Sequence, residues 1–174
     1  MDCDRDKYPL KKWKEVVIIK HGKDYKKNLS DKGGYPVYGS GGFMGLYANN
    51  YLVNENSIII GRKGTIDKPL FVKEKFWNVD TAFGIEVNKQ ILNPIFFYIR
   101  STMYNLKAYS TSTTLPSMTK DSLCEIEIGI PPLDLQNGFA DFVETIDKSK
   151  FVVQQQIKDL EELLDKKMDE YFGG

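Results

Sequence analysis

The sequence has few of the residues from which metal centres, disulfide frameworks and nucleophilic active sites are built. Its 174 residues contain two cysteines, Cys3 and Cys124, and one histidine, His21. Two distant cysteines make neither a disulfide framework nor a zinc-ligand pattern. Zinc hydrolases and Ser-His or Cys-His nucleophiles would all depend on His21, which stands at the entry to a basic loop. The composition therefore argues against these classes of enzyme.

Long apolar runs are also missing. The opening segment MDCDRDKYPLKKW is charged and lacks the apolar core of a secretory signal. No apolar segment approaches the ~20 residues of a membrane-spanning helix. We therefore expect a soluble intracellular protein with no membrane partner.

Charge is balanced over the whole chain but unevenly distributed along it. Residues 1–133 carry 19 Lys and Arg against 14 Asp and Glu, a net charge of +5, whereas residues 134–174 carry 5 against 10, a net charge of −5. The asymmetry indicates a mildly basic body followed by an acidic element. Ordinary solvated surface would also be compatible with these charges, so they do not by themselves indicate nucleic acid.

Short segments rich in β-branched residues, separated by glycine, proline and asparagine, predict a β-rich body. Asn93 suits a helix N-cap and Pro94 the first helical turn, so a helix is predicted over 93–109. The predicted strands cover residues 15–20, 57–61, 69–72, 83–87 and 125–130. The predicted apolar face of the helix contains Ile95, Ile99, Met103 and Leu106.

The last part of the chain has a heptad-like pattern. Between Asp134 and Phe172 there is no proline, and the only glycine is Gly138. A helix of about 37 residues would be roughly 55 Å long, against a radius of gyration of ~14 Å for a body of ~130 residues. Its apolar stripe would need a partner; the alternative is a helix broken near 147–150 that folds back. The predicted seam, a dimer interface, comprises Val143, Ile146, Lys150, Val153, Ile157, Leu160, Leu164, Met168 and Tyr171.

Residues 38–42 read YGSGG and raise the possibility of a nucleotide-binding loop. Such loops follow a buried strand and open a helix, but Pro36 precedes this one and asparagine-rich turns follow it. A Walker loop would end in Gly-Lys-Ser/Thr, which is missing here. We therefore predict a compact loop that exposes Ser40 and backbone N–H groups, and no cofactor or metal bound by this chain.

Basic, hydroxyl and aromatic side chains recur on several predicted loops. Arg62 and Lys63 stand between two glycines at the tip of a predicted hairpin. Arginine can fork onto a guanine edge or a phosphate, and lysine supplies a point charge. The mixture suits phosphate contact with groove readout, although a solvated hairpin tip has the same composition. The candidate DNA-contacting residues are Lys23, Tyr25, Lys26, Lys27, Ser40, Gly41, Gly42, Arg62, Lys63, Thr65, Thr111, Ser112, Thr113, Thr114, Ser117 and Lys120.

Several segments occur in an order that resembles the specificity subunits of type I restriction–modification systems. They are YPVYGSGG, IGRKGTI, WNVDTAF, STSTTLPSMTK, IEIGIPPLDLQNGFADFVETID and a terminal heptad helix. The strongest part is 115–119, followed by 130–133 and Gln136. The resemblance covers about 13–172 and implies an α+β fold. A β-rich globular target recognition domain (1–133) would be followed by a long, coiled-coil-forming α-helix (134–174).

The resemblance also implies how the chain works. Complete subunits of the family carry two recognition domains, each reading half of a split DNA target, and two long helices that pair antiparallel. This chain has one of each and resembles half a subunit. Two copies would associate through the seam and read an interrupted inverted repeat.

By the same resemblance, the chain is a non-catalytic subunit of a prokaryotic, cytoplasmic complex. Methyl transfer with S-adenosylmethionine would belong to partner DNA methyltransferase subunits, and ATP- and Mg-dependent cleavage to restriction subunits. Three alternatives remain: a fragment of a longer two-domain subunit, an assembly or regulatory half-subunit that reads no DNA, and an enzyme acting alone. The last lacks support, because residues 93–96 do not have the second proline of a methyltransferase motif.

Overall fold

The computed structural model describes residues 7–110 and 117–173. This part of the chain divides into two compact units, with the boundary between Asn137 and Gly138. The strands are β1 Leu10–Lys12, β2 Val17–His21, β3 Tyr35–Gly39, β4 Gly42–Ala48, β5 Ser57–Gly61, β6 Leu70–Val72, β7 Trp77–Asn78, β8 Ala82–Val87 and β9 Glu127–Gly129. The α-helices are α1 Trp13–Val16, α2 Pro94–Thr102, α3 Lys120–Cys124 and α4 Leu133–Phe172. The predicted architecture, a β-rich body followed by a long helix, is confirmed.

The first unit is built around an antiparallel sheet of order β2-β8-β5-β6. Its strand β5 is apolar on both faces, since Ile58 and Ile60 belong to the main core while Ile59 packs into a second cluster with Val53 and Phe76. Successive strand residues point to opposite faces, so the continuous Ile58–Ile60 run means that β5 is covered on both sides. Helix α2 contacts β5, β6 and β8.

Predicted strand positions agree well for the central sheet. The strand at 57–61 is confirmed, and those at 69–72 and 83–87 differ from the structure by one residue at one end. The strand predicted at 15–20 begins later, because Glu15 accepts a hydrogen bond from the Lys12 backbone N–H (2.7 Å) and caps a turn of helix. That turn buries Trp13 and Val16.

The strand predicted at 125–130 is shorter than expected. Only Glu127–Gly129 pairs, with β1. The preceding carboxylate, Glu125, instead accepts hydrogen bonds from the ammonium groups of Lys12 and Lys14. These bonds lower the pKa of Glu125 to about 2 and attach the end of α3 to the start of the chain's first helix.

A second sheet, of order β4-β3-β7, contains the hairpin that the sequence pattern did not predict. Strand β3 pairs antiparallel with β4 and parallel with β7. Pro36 is tolerated in β3 because the pairing of β3 with β7 begins only at the next residue, Val37. On the other side of the strand, the register between β3 and β4 shifts just after Pro36. The expected compact glycine loop is therefore the two-residue turn 40–41 of a β-hairpin.

Helix α2 begins as predicted but ends early. The Asn93 side-chain oxygen accepts hydrogen bonds from the backbone N–H groups of Ile95 (2.9 Å) and Phe96 (3.2 Å), as expected of an N-cap. The helix stops at Thr102, and a separate 3-10 turn covers Leu106–Tyr109.

The predicted apolar face of that helix is only partly right: Leu106 is completely buried in the main core, but it lies in the separate 3-10 turn, and Ile95 and Ile99 are only half-buried. Phe96, Phe97 and Ser101 are buried, whereas Met103 is 65% exposed. The two phenylalanines join the core that also contains Trp13, whose ring meets Phe97 edge-on at 4.9 Å. Aromatic bulk, rather than the aliphatic spacing, therefore decides which side of α2 faces the sheet.

Helix α4 runs without a break over Leu133–Phe172. Its 40 residues correspond to about 60 Å at ~1.5 Å per residue. The alternative of a break near 147–150 is therefore wrong. This outcome follows from the lack of proline after Pro132 and from a composition rich in good helix formers.

Candidate nucleic-acid interface

The predicted loops meet at the connection between β7 and β8, residues 79–81. The backbone N–H of Lys23 donates to the Asn78 carbonyl (3.0 Å), and that of Gly22 donates to the Ala82 carbonyl (3.1 Å). The buried Asn78 side chain donates to the same Ala82 carbonyl (2.9 Å). These bonds hold the basic segment 22–27 beside the connection.

The loop that contains Arg62 and Lys63 is fixed to the same connection. Both backbone N–H groups lie near the Thr81 carbonyl, at 2.8 and 3.3 Å. On the other side, the Met118 N–H donates to the Arg62 carbonyl (2.9 Å), and Lys63 pairs with Ser117 in an isolated antiparallel bridge. The structure thus places Ser117 next to Lys63, although 54 positions separate them in the sequence.

The glycine turn 40–41 packs against the loop 61–65. A Cβ atom on Gly61 would overlap the Thr65 carbonyl and lie 3.0 Å from the Ser40 Cβ. A Cβ on Gly64, whose φ is +75°, would lie 3.6 Å from the Ser40 hydroxyl oxygen. Glycine is therefore required at 61 by close approach and favoured at 64 by its left-handed backbone.

We expect Gly61→Ala to lower the free energy of unfolding by about 1–3 kcal/mol, because the added methyl group overlaps backbone that cannot move aside cheaply. Gly41→Ala is the matched control, since a Cβ at Gly41 meets nothing within 4 Å, and its effect should stay within about 0.5 kcal/mol. Urea denaturation followed by circular dichroism measures both. Equal stability of the two variants would contradict the close approach of Gly61 to the Thr65 carbonyl and the Ser40 side chain.

The cationic candidates on these loops are available to a ligand. Within 7–110 and 117–173, no carboxylate forms a salt bridge with any of them, whereas Lys14, Lys20 and Lys107 are paired with acidic side chains. The exposed, unpaired cations of the predicted set are Lys23, Lys26, Lys27, Arg62, Lys63 and Lys120.

Other predicted residues have different positions. Tyr25 is half-buried and packs against the cluster of Val37, Ala48 and Trp77, which points to a role in supporting the basic loop. Lys120 opens α3 directly after the N-cap Thr119. The hydroxyl residues Thr111, Ser112, Thr113 and Thr114 lie outside the described residues.

One ion pair supports the long connection between β5 and β6. The Lys107 ammonium lies 2.6 Å from the Asp67 carboxylate, and its hydrogen bond lowers the pKa of Asp67. The bond joins this connection to the 3-10 turn Leu106–Tyr109. The Arg62–Lys63 loop is therefore supported from two sides.

Strand β4 carries a row of exposed apolar side chains that the sequence pattern did not predict. Phe43 is 49% exposed, and Met44 and Tyr47 are each 41% exposed. The centroid of the Phe43 ring lies 5.7 Å from that of Tyr38 and 5.5 Å from that of Tyr47. Burial, with smaller contributions from Glu74 and Tyr47, raises the pKa of Tyr38. The alternation of glycine with larger residues at the start of the segment GFMGLYA could have indicated this strand, but glycines are also typical of loops.

The predicted seam lies on α4 and is largely open to solvent. Val143 is half-buried and Lys150 is exposed. At 100° per residue, the exposed Phe139 and Phe142 fall on the same stripe, which the sequence pattern had not included. The remaining seam residues are exposed by 48–74%: Ile146, Val153, Ile157, Leu160, Leu164, Met168 and Tyr171.

The part of the chain that the structure describes contains neither a membrane-spanning helix nor a cluster of metal ligands. None of its helices combines the length and hydrophobicity that crossing a bilayer requires. No group of three or more His, Cys, Asp or Glu side chains there is arranged to hold a metal ion.

The fold is similar to solved structures of restriction–modification subunits. The S subunit of a type I system from M. genitalium matches with a TM-score of 0.72 at 16% identity, over 91% of this chain and 44% of that one. The HsdS subunit from Thermoanaerobacter tengcongensis matches with a TM-score of 0.64 at 12% identity, over 86% of this chain and 39% of that one. A chain from a structural study of assembly and conformational transition in a type I system matches with a TM-score of 0.69 at 13% identity, over 91% of this chain and 43% of that one. This chain therefore spans about two fifths of the length of each.

The sequence gives a more direct result. Among proteins of curated function there is no match. A family model described as the type I restriction modification DNA specificity domain, however, matches residues 6–162, which is most of the chain. The chain therefore belongs to the family of type I restriction–modification DNA specificity domains.

Proposed function

We propose that the chain is a sequence-specific DNA-binding subunit that reads its target through the loops gathered at residues 79–81. The observation that carries this proposal is the convergence of segments 22–27, 40–41, 61–65 and 117–118 on one edge of the β-rich unit. Each segment contributes residues that the sequence pattern had marked separately. Because the four segments lie together, their candidate residues form one surface.

The chemistry of this surface suits duplex DNA. Its exposed lysines and Arg62 can neutralise phosphates, while the Ser40 and Ser117 hydroxyls can donate to or accept from base edges. The Arg62 backbone is held by hydrogen bonds at both its N–H and its carbonyl, so the backbone loses little conformational freedom on binding. The guanidinium of arginine is the side-chain group best suited to a guanine edge.

For the second unit we propose pairing with another copy of the chain. Residues 1–133 would then form a recognition domain and residues 134–174 a dimerisation helix that sets two such domains apart. A two-fold dimer implies a bipartite, inverted-repeat target. The chain itself would be non-catalytic and would present the DNA to methyltransferase and restriction subunits, which would carry S-adenosylmethionine, ATP and Mg.

The proposal is tested by selecting target duplexes from a random-sequence pool with the full chain, with and without its methyltransferase subunit. Fluorescence titration over a range of salt concentrations then compares the selected duplex with a scrambled one. Salt-dependent, selective binding supports recognition. Assembly with the methyltransferase but no selection of sequence would instead support a module that reads no DNA.

Arg62→Ala is expected to cost about 1–3 kcal/mol of binding free energy and to relax preference at one base pair. Arg62→Lys should keep much of the phosphate attraction but lose the same preference, because lysine cannot form the bidentate contact. Lys89→Ala, at the far end of β8 from Ala82, serves as the control. Unchanged affinity and preference in Arg62→Ala would remove this residue from the interface.

A further inference from the structure

The β3–β4 hairpin ends in large apolar side chains that are exposed on both of its faces. Phe43 is the second residue of β4 after the turn and is held by ring contacts to Tyr38 and Tyr47 on one face. Met44 lies on the other face, where its sulfur would be 3.5 Å from a Cβ on Gly39. Exposed apolar clusters of this kind mark surfaces that a partner covers.

Strand β4 runs between two groups of free cations. At its start, the turn 40–41 packs against the loop that carries Arg62 and Lys63. At its end, the Ser30 N–H donates to the Tyr47 carbonyl (2.9 Å) and the Asn49 N–H donates to the Asn28 carbonyl (2.8 Å). These bonds place the basic turn Lys26–Asn28 there. At ~3.4 Å per residue the strand is about 20 Å long, so positive charge flanks the apolar row on both sides.

We propose that Phe43 forms an apolar wedge that enters a base step of the target duplex, unstacks it and bends the DNA. This inference depends on the proposed DNA-reading function and adds a mode of recognition to it. Apolar wedges flanked by phosphate-binding cations bend DNA in this way. Because the energy of bending depends on the step that is deformed, the wedge would give specificity at a position where no hydrogen bond reads a base.

DNA fits this row better than a protein partner does. The turn beside it consists of Ser40 and Gly41, which are small enough to pass close to a sugar–phosphate backbone. The cations at both ends, Arg62 with Lys63 and Lys26 with Lys27, can neutralise phosphates on either side of an inserted ring, whereas an apolar protein surface offers them no partner. A rigid ring such as Phe43, fixed by two neighbouring tyrosines, also loses little freedom on insertion.

The test uses the full chain and the duplex selected in the pool experiment, with 2-aminopurine replacing successive adenines and a donor–acceptor dye pair at the ends. Wild-type binding should bend the duplex and raise the 2-aminopurine fluorescence at one step. Phe43→Ala should weaken binding about tenfold and abolish both signals. Phe43→Leu keeps an apolar wedge and should retain the bend.

Ile18→Ala is the control, since Ile18 is a strand residue that is 61% exposed and stands away from the hairpin. Thermal melts of the free proteins show whether each variant folds. A folded Phe43→Ala variant that still bends and unstacks the duplex overturns the wedge while leaving DNA reading intact. So does a Phe43→Ala variant that keeps the bend but no longer binds a methyltransferase subunit, because the row would then be a protein interface. If the wild type selects no sequence, the proposed function itself fails first.

Discussion

Replacing Ile157 and Leu160 together with aspartate is expected to halve the mass of the particle in solution. The two side chains are 50% and 65% exposed in the single chain, and burying such a side chain fully stabilises by about 1.5–3 kcal/mol. A two-fold dimer buries each of them twice. The double variant therefore loses four apolar contacts and gains four carboxylates at a dry interface, where unpaired charge is strongly unfavourable.

Sedimentation equilibrium over a range of concentrations measures this effect. The matched control is Gln155→Asp with Glu162→Asp, which adds the same residue type to the same helix on the face opposite the seam. The control should remain a dimer, with only the small cost of aspartate in a helix interior. A wild-type chain that is monomeric at high concentration, or a seam variant with unchanged mass, would show that the seam is not an interface.

Lys150 gives the seam a further property. It is the one charged residue among the nine seam positions, between Ile146 and Val153. A single polar residue in such a position lowers coiled-coil stability but selects one register and partner number. In the proposed dimer, Lys150 would therefore favour one alignment of the two helices, and this alignment would set the distance between the two recognition domains.

The elements that could be predicted from sequence are those whose signal is local. Strand 57–61 is a continuous apolar run, the start of α2 has an asparagine followed by proline, and α4 has forty residues free of proline. Each pattern stabilises its own element. The family resemblance added function, because it depends on an ordered set of motifs rather than on any one of them.

The features that could not be predicted depend on pairs of residues distant in sequence. Pro36 argued against a strand, but the proline is accommodated at a register shift that only the partner strands reveal. The approach of Ser40 to Gly61 and the pairing of Lys63 with Ser117 are likewise tertiary. The candidate residues could be named from composition, but their assembly into one surface could not.

Gln136 shows the same division between motif and mechanism. The resemblance singled out this residue, but its physical role is visible only in the structure. It is completely buried in the first turn of α4, and its side-chain oxygen accepts from the Asn93 N–H (2.8 Å). Its amide donates to the carbonyls of Ile91 (3.0 Å) and Pro131 (2.8 Å). One side chain therefore satisfies three backbone groups in two separate connections.

Gln136→Leu is expected to lower the free energy of unfolding by about 2–4 kcal/mol. Leucine fills most of the same volume, so the loss reports the three backbone groups left without their partner, and a buried unsatisfied group costs about 1–3 kcal/mol. The neighbouring Asn137→Leu is the control: Asn137 accepts one exposed hydrogen bond from Asn93 (2.9 Å), so its effect should be within about 0.5 kcal/mol. Urea denaturation of both variants tests the difference. Similar stabilities would mean that water replaces the Gln136 amide, and that the first turn of α4 is held by its apolar contacts instead.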